Sequence, residues 1–257
     1  MTTFDVIGGV ELTMSAAIVV ATLSVVMGQE ASRRVKLAGV LSGWFVFVVI
    51  LAATGALGDV HGTGSLGVGL AVAAPIVLMF LALMRVPLLR EALDRAPLSV
   101  LVGVHVTRVL GVSFLILHAS SRLPAPFAPV AGWGDIVAGL AAIPVAWMVH
   151  SRAKNWRAAL AAWNVFGLAD LVAAVSLGVL SSPGPLRRIF AEPGTGLMST
   201  LPWFLIPGFL VPLLFTTHLA IFYRLAKSAG ADDSHASASG GQMPKNGDAA
   251  NPVRHAV

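Results

Sequence analysis

The stretch Leu98–His118, LSVLVGVHVTRVLGVSFLILH, decides how this chain is read. It is apolar over almost its whole length and matches the roughly 20 residues a helix needs to cross the hydrocarbon core of a bilayer. At its middle stands a permanent cation, Arg108, with His105 three residues before it. A charge at that depth needs a partner inside the protein, so the stretch predicts both a membrane span and a buried polar centre.

The rest of the chain agrees with the first half of that statement. Hydrophobic residues make up 56% of the 257 residues and charged residues 11%. A soluble domain carries about 25% charged residues, so this chain lacks the polar surface to face water on all sides. Its formal charge of +5 does not mark a nucleic-acid binder, because the basic residues flank apolar stretches and form no stripe. The absence of cysteine removes disulfides, thiolate nucleophiles, iron–sulfur clusters and c-type haem. The opening MTTFDVIGG has no basic n-region, so the first apolar segment reads as an uncleaved span.

Seven stretches are long and apolar enough to cross: Val10–Met27, Leu37–Leu57, Leu66–Met84, Leu98–His118, Trp133–Val149, Ala158–Leu180 and Leu201–Tyr223. The fold expected is an all-α integral membrane protein, a bundle of seven transmembrane helices over residues 1–227. A small-residue, polar segment at 228–257 is expected to be disordered. Arg33, Arg34, Lys36, Arg85, Arg90, Arg95, Arg152, Lys154, Arg157, Arg224 and Lys227 fall at one end of the spans, against Arg122, Arg187 and Arg188 at the other. The positive-inside rule then sets the N-terminus outside and the tail in the cytoplasm of a multi-pass cell-membrane protein. Trp133, Trp147, Trp156, Trp203 and Tyr223 lie near span ends, where an aromatic belt would sit.

Counting about 1.5 Å per residue from the basic end matches polar residues on different helices by depth. Arg108 and Asp170 fall near the midplane, and His105, Asn164 and His218 about one turn nearer the basic end. The expectation is an Arg108–Asp170 pair facing the bundle interior, with Gly167 allowing close helix approach. Such a centre would bind or pass a small polar ligand or a proton, with Arg108, Asp170, His105, Asn164 and His218 along the way. Two other readings stay open. His105 and His218 could ligate one b-type haem, or the pair could only fix helix register in a structural or assembly partner of the membrane.

Further features fit less specific chemistry. Glu11, Asp59, His61, His118 and Asp135 gather toward the outer ends, and Glu11, His118 and Asp135 have metal-ligand chemistry. Asp135 after AGWG also reads as a helix N-cap, and Glu11 as a first-turn acid. Retinal is excluded, since no lysine lies inside a span to form the Schiff base. Gly64, Gly67 and Gly69 read as helix-contact positions, Pro202, Pro207 and Pro212 as kinks, and PGPLRRIFAEPGTG as an interfacial patch. No hydrolase, zinc-protease or nucleotide motif occurs, which leaves no catalytic residues to name.

Overall fold

The computed structural model describes residues 2–57 and 64–240, with the side chains of 229–240 left aside. Among them every regular element is helical, and seven helices are long and apolar enough to cross a membrane. In chain order the spans are Thr3–Met27, Ala31–Ala53, Gly64–Arg85, Leu98–Ala119, Phe127–Ser151, Trp156–Ser181 and Ile206–Ser228. A short helix, Pro87–Arg95, connects the third span to the fourth.

The exterior is as apolar as the interior, with Val35 71% and Val40 69% exposed on the second span and Leu78 66% on the third. That inverts the soluble pattern and suits a surface facing lipid. Small residues set the packing inside. The fourth and fifth spans meet through Gly111, Gly132 and Gly139. A Cβ on Gly111 would lie 2.5 Å from Cβ of Asp135, and one on Gly139 2.8 Å from the backbone nitrogen of Val109. Close backbone approach of this kind lets two helices gain dispersion contact where lipid offers no hydrophobic drive.

Two spans depart from regular α-helix at the level of the polar centre. The fourth is a 3₁₀ helix over Val104–Gly111, where residues three apart eclipse each other. His105 and Arg108 are therefore stacked directly along one edge, a tighter alignment than an α-helix would give. The seventh opens with a π-helical turn, Ile206–Leu210, before Val211 resumes α geometry. Pro207 lies within that turn and Pro212 just after it, and each removes a backbone donor from the ladder.

Four expectations change. The fifth span begins at Phe127, not near Trp133, so Asp135 lies two turns inside it and is no N-cap. Pro129 is tolerated there because the first turn's N–H groups have no intrahelical acceptor. The seventh span starts at Ile206; residues 201–204 before it form a turn. Trp203 is no interfacial residue: it is fully buried, stacks on Phe4 at 5.5 Å and donates to Asp5 at 2.9 Å. Lastly, the seventh helix runs on to Gly240 where disorder was expected from Ser228. Extending an existing helix costs little per residue, and no proline interrupts the chain before Pro244. Residues 241–257 of that tail, and Asp59 and His61, lie outside the described residues.

At the end opposite the basic residues, Asp5 acts as a fastener. It receives Arg122 Nη2 at 2.7 Å, Trp203 Nε1 at 2.9 Å and the backbone N–H of Thr2 at 2.7 Å. One carboxylate so ties the first span to the loop after the fourth and to the segment before the seventh. At the basic end, Arg224 donates to the carbonyls of Leu93 and Ala96 at 2.7 and 2.8 Å. Those carbonyls end the connecting helix, where that of Leu93 otherwise receives only the cap N–H of Ala96 at 3.3 Å.

Candidate functional site

Arg108 is the hub of a network drawn from four spans. Its Nε donates to Asp135 Oδ1 at 2.7 Å, on the fifth span. Its Nη2 donates to Asp170 Oδ2, on the sixth. Its Nη1 donates to the Gly167 carbonyl at 3.1 Å and sits 3.2 Å from His218 Nε2, on the seventh. A guanidinium has five N–H donors, and four are taken by protein acceptors. The side chain of Arg108 is 1% exposed, so these partners replace its hydration.

The hydrogen-bond roles fix both histidine tautomers. Arg108 can only donate, so His218 Nε2 accepts and Nδ1 carries the proton, which goes to Asn164 Oδ1 at 2.7 Å. Asn164 returns a bond from Nδ2 to the backbone oxygen of His218 at 3.0 Å. Thr217 donates its hydroxyl to the Leu214 carbonyl at 2.7 Å and so accepts from His105 Nε2 at 2.8 Å. His105 is fully buried, and its Nδ1 makes no hydrogen bond among the described residues. His218 is thus neutral in this arrangement. The two imidazole rings lie 4.1 Å apart between centroids, with Trp163 against both.

Glycines make room for this layer. A Cβ on Gly167 would lie 2.5 Å from Cε1 and 2.8 Å from Nε2 of His218, and 3.1 Å from Arg108 Nη1. A Cβ on Gly134 would collide with Asp170 Oδ1. The sixth span therefore presents its bare backbone to the arginine, and the fifth presents a gap to the aspartate.

Charge counting is the main chemical statement of the site. One guanidinium meets two carboxylates, so the centre balances only when one carboxyl carries a proton. Two carboxylates sharing a buried site do not both ionise easily. Two small cavities reach the charged centre. One of about 40 Å³ touches Arg108 and Asp135, and another of about 50 Å³ runs from Asp135 to Ser182 and Thr195. A third, about 40 Å³, meets the network only at Thr217, the partner of His105, and apart from Thr216 is walled by apolar side chains. The cavity at Arg108 and Asp135 exceeds the roughly 10–15 Å³ that a water needs and offers it polar partners.

The structure thus brings together all five residues expected from depth, Arg108, Asp170, His105, Asn164 and His218, and adds Asp135 and Thr217. Asp135 could have been found by letting the fifth span start at Phe127, which places it roughly 12 Å in from that end. Two expectations fail on geometry. Iron bound by both histidines would need a porphyrin-wide slot between rings that are instead in contact, and both Nε2 atoms are engaged, so His105 and His218 do not fit a haem. The trio Glu11, His118 and Asp135 forms no metal-binding group. Among the described residues no three such side chains gather, Asp135 serves Arg108, and His118 Nδ1 bonds the Leu123 carbonyl at 3.0 Å.

Fold and site together define an all-helical bundle of membrane-spanning length around a buried, hydrogen-bonded cluster of one arginine and two aspartates. Residues 65–226 match a domain family of unknown function, DUF8737, and the chain belongs to that family. The matched region holds every residue of the cluster and leaves out the first two spans. No curated protein and no solved structure matches the chain.

Proposed function

We propose that this is a multi-pass protein of the cell membrane that takes up and passes protons through the Arg108–Asp135–Asp170 centre. The N-terminus is outside and the C-terminus cytoplasmic, on the strength of the basic residues clustered at one end of the bundle. The observation that carries the reading is the pair of carboxylates on one arginine. An arginine meant to hold an anionic ligand keeps donors free, whereas four of the five here are committed to protein. The species the centre still lacks for neutrality is a proton.

The route runs from the outer cavity beside Ser182 and Thr195 to Asp135, across Arg108 to Asp170, and past His218 and His105 to the cavity at Thr217. His105 Nδ1 has a free lone pair and is the natural acceptor on the inner side. A static helix lock is the competing reading, favoured by the near-complete satisfaction of the network.

Flux separates the two. Purified protein in liposomes loaded with a pH-sensitive dye, and driven by a potassium gradient with valinomycin, should acidify or alkalise the lumen according to the imposed potential. Asp135→Asn should abolish the movement while the protein stays folded. Rates equal to protein-free liposomes, or rates untouched by Asp135→Asn, would leave the lock as the answer.

A further inference from the structure

We propose that the protein binds an anionic phospholipid at its basic end, in the cavity between the third span, the seventh span and the connecting helix. The cavity measures about 170 Å³ and is walled by Phe80, Leu83 and Met84 of the third span and by Leu219 of the seventh. Arg90 and Tyr223 stand in the same wall. Both are exposed, and neither makes a side-chain hydrogen bond among the described residues.

Position and chemistry agree on the occupant. Leu83 and Met84 belong to the last turn of the third span, so the cavity lies where the hydrocarbon core gives way to headgroups. A phosphate there meets the Arg90 guanidinium, and the Tyr223 hydroxyl can donate beside it. The apolar wall below takes the upper part of an acyl chain. Arg95 and Lys227 are paired with Glu91 and Asp94, while Arg85 and Arg224 on the flanking segments have no salt bridge among the described residues and raise the local positive potential, which favours anionic over zwitterionic lipid. The connecting helix that carries Arg90 is held in place by Arg224 on the carbonyls of Leu93 and Ala96 and by Lys227 on Asp94 at 2.6 Å.

The larger crevice between the second and third spans, about 740 Å³, has no charged side chain in its wall and names no occupant. The smaller cavity does, because its single cation selects a headgroup. It also stands back to back with the cavity at Thr217, sharing Leu83, Leu93, Thr216 and Ala220 with it. The lipid site requires that the chain span a bilayer, and it is independent of proton passage.

Native mass spectrometry of the full chain, released from micelles doped with equal phosphatidylglycerol and phosphatidylcholine, tests this directly. Phosphatidylglycerol should be retained in a one-to-one complex in preference to phosphatidylcholine. Arg90→Gln should lower that preference about fivefold, the weight of one basic residue near a membrane surface. Arg33→Gln, at the same end but outside the cavity, should leave it unchanged. Leu219→Trp, at a half-buried position, should fill the cavity and lower retention of both lipids while helical circular dichroism is preserved. Equal retention of the two lipids, or equal losses in Arg90→Gln and Arg33→Gln, would overturn the site and would leave the proton reading untouched.

Discussion

Removing the two carboxylates one at a time and then together gives the sharpest forecast of the network's energetics. Asp135→Asn leaves Arg108 facing one ionised aspartate, Asp170, and the centre stays neutral. The loss is then one carboxyl acceptor at 2.7 Å exchanged for a weaker amide oxygen on the same guanidinium, about 1 kcal/mol. Asp170→Asn is the mirror case, with Asp135 carrying the charge, at about the same cost. With both replaced, a guanidinium 1% exposed has no anion at all, and breaking a buried pair in that way costs about 3–5 kcal/mol. The double variant should therefore be less stable than the sum of the singles by roughly 2 kcal/mol, well outside the error of additivity. Denaturant titration in mixed micelles, followed by helical circular dichroism and tryptophan fluorescence, measures all four corners of the cycle. If Asp170→Asn alone costs as much as the double variant, Asp135 is a bystander and the two-carboxylate account is wrong.

Other consequences follow from single positions. Gly167→Ala places a methyl 2.5 Å from His218 Cε1 and should cost about 1–3 kcal/mol by overpacking; a melting temperature equal to the parent would mean the sixth and seventh spans are looser than described. Asp5→Ala strips four donors of their acceptor, the Thr2 hydroxyl among them, and should cost about 1.5–3 kcal/mol, read in the same titration, with a change in Trp203 emission as its local mark. Brominated lipid should quench Trp133, 61% exposed on the fifth span, and spare the buried Trp203; equal quenching in single-tryptophan variants would contradict the packing. Protein from haem-replete cells should show no Soret band, since the His105 and His218 rings are in contact; a band lost in His218→Ala would reverse that conclusion.

The fold was legible because a membrane span has a coarse signature, about 20 apolar residues, that turns and prolines at its ends do not hide. The Arg108–Asp170 pair was legible for a related reason: helical rise converts sequence position into depth, and few polar residues share the midplane. Asp135 was not, because PFAPVAGWGD reads as loop when two prolines and two glycines are counted as breakers. Pro126 instead caps the helix and Pro129 falls in its first turn, so the span starts at Phe127. The 3₁₀ register of Val104–Gly111 and the π turn at Ile206–Leu210 arise from packing among glycines and prolines on several spans, and no single segment encodes them. Burial of Trp203 depends likewise on Asp5, almost two hundred positions away in the chain.

The central claim is that one proton is held between two carboxylates on Arg108. Infrared difference spectroscopy of the purified protein in lipid reads it directly through the C=O stretch of a protonated carboxyl. The account predicts such a band in the parent protein and its loss in Asp135→Asn and in Asp170→Asn alike, because either substitution leaves the remaining aspartate ionised against Arg108. A parent spectrum identical to both variants in that region would contradict it.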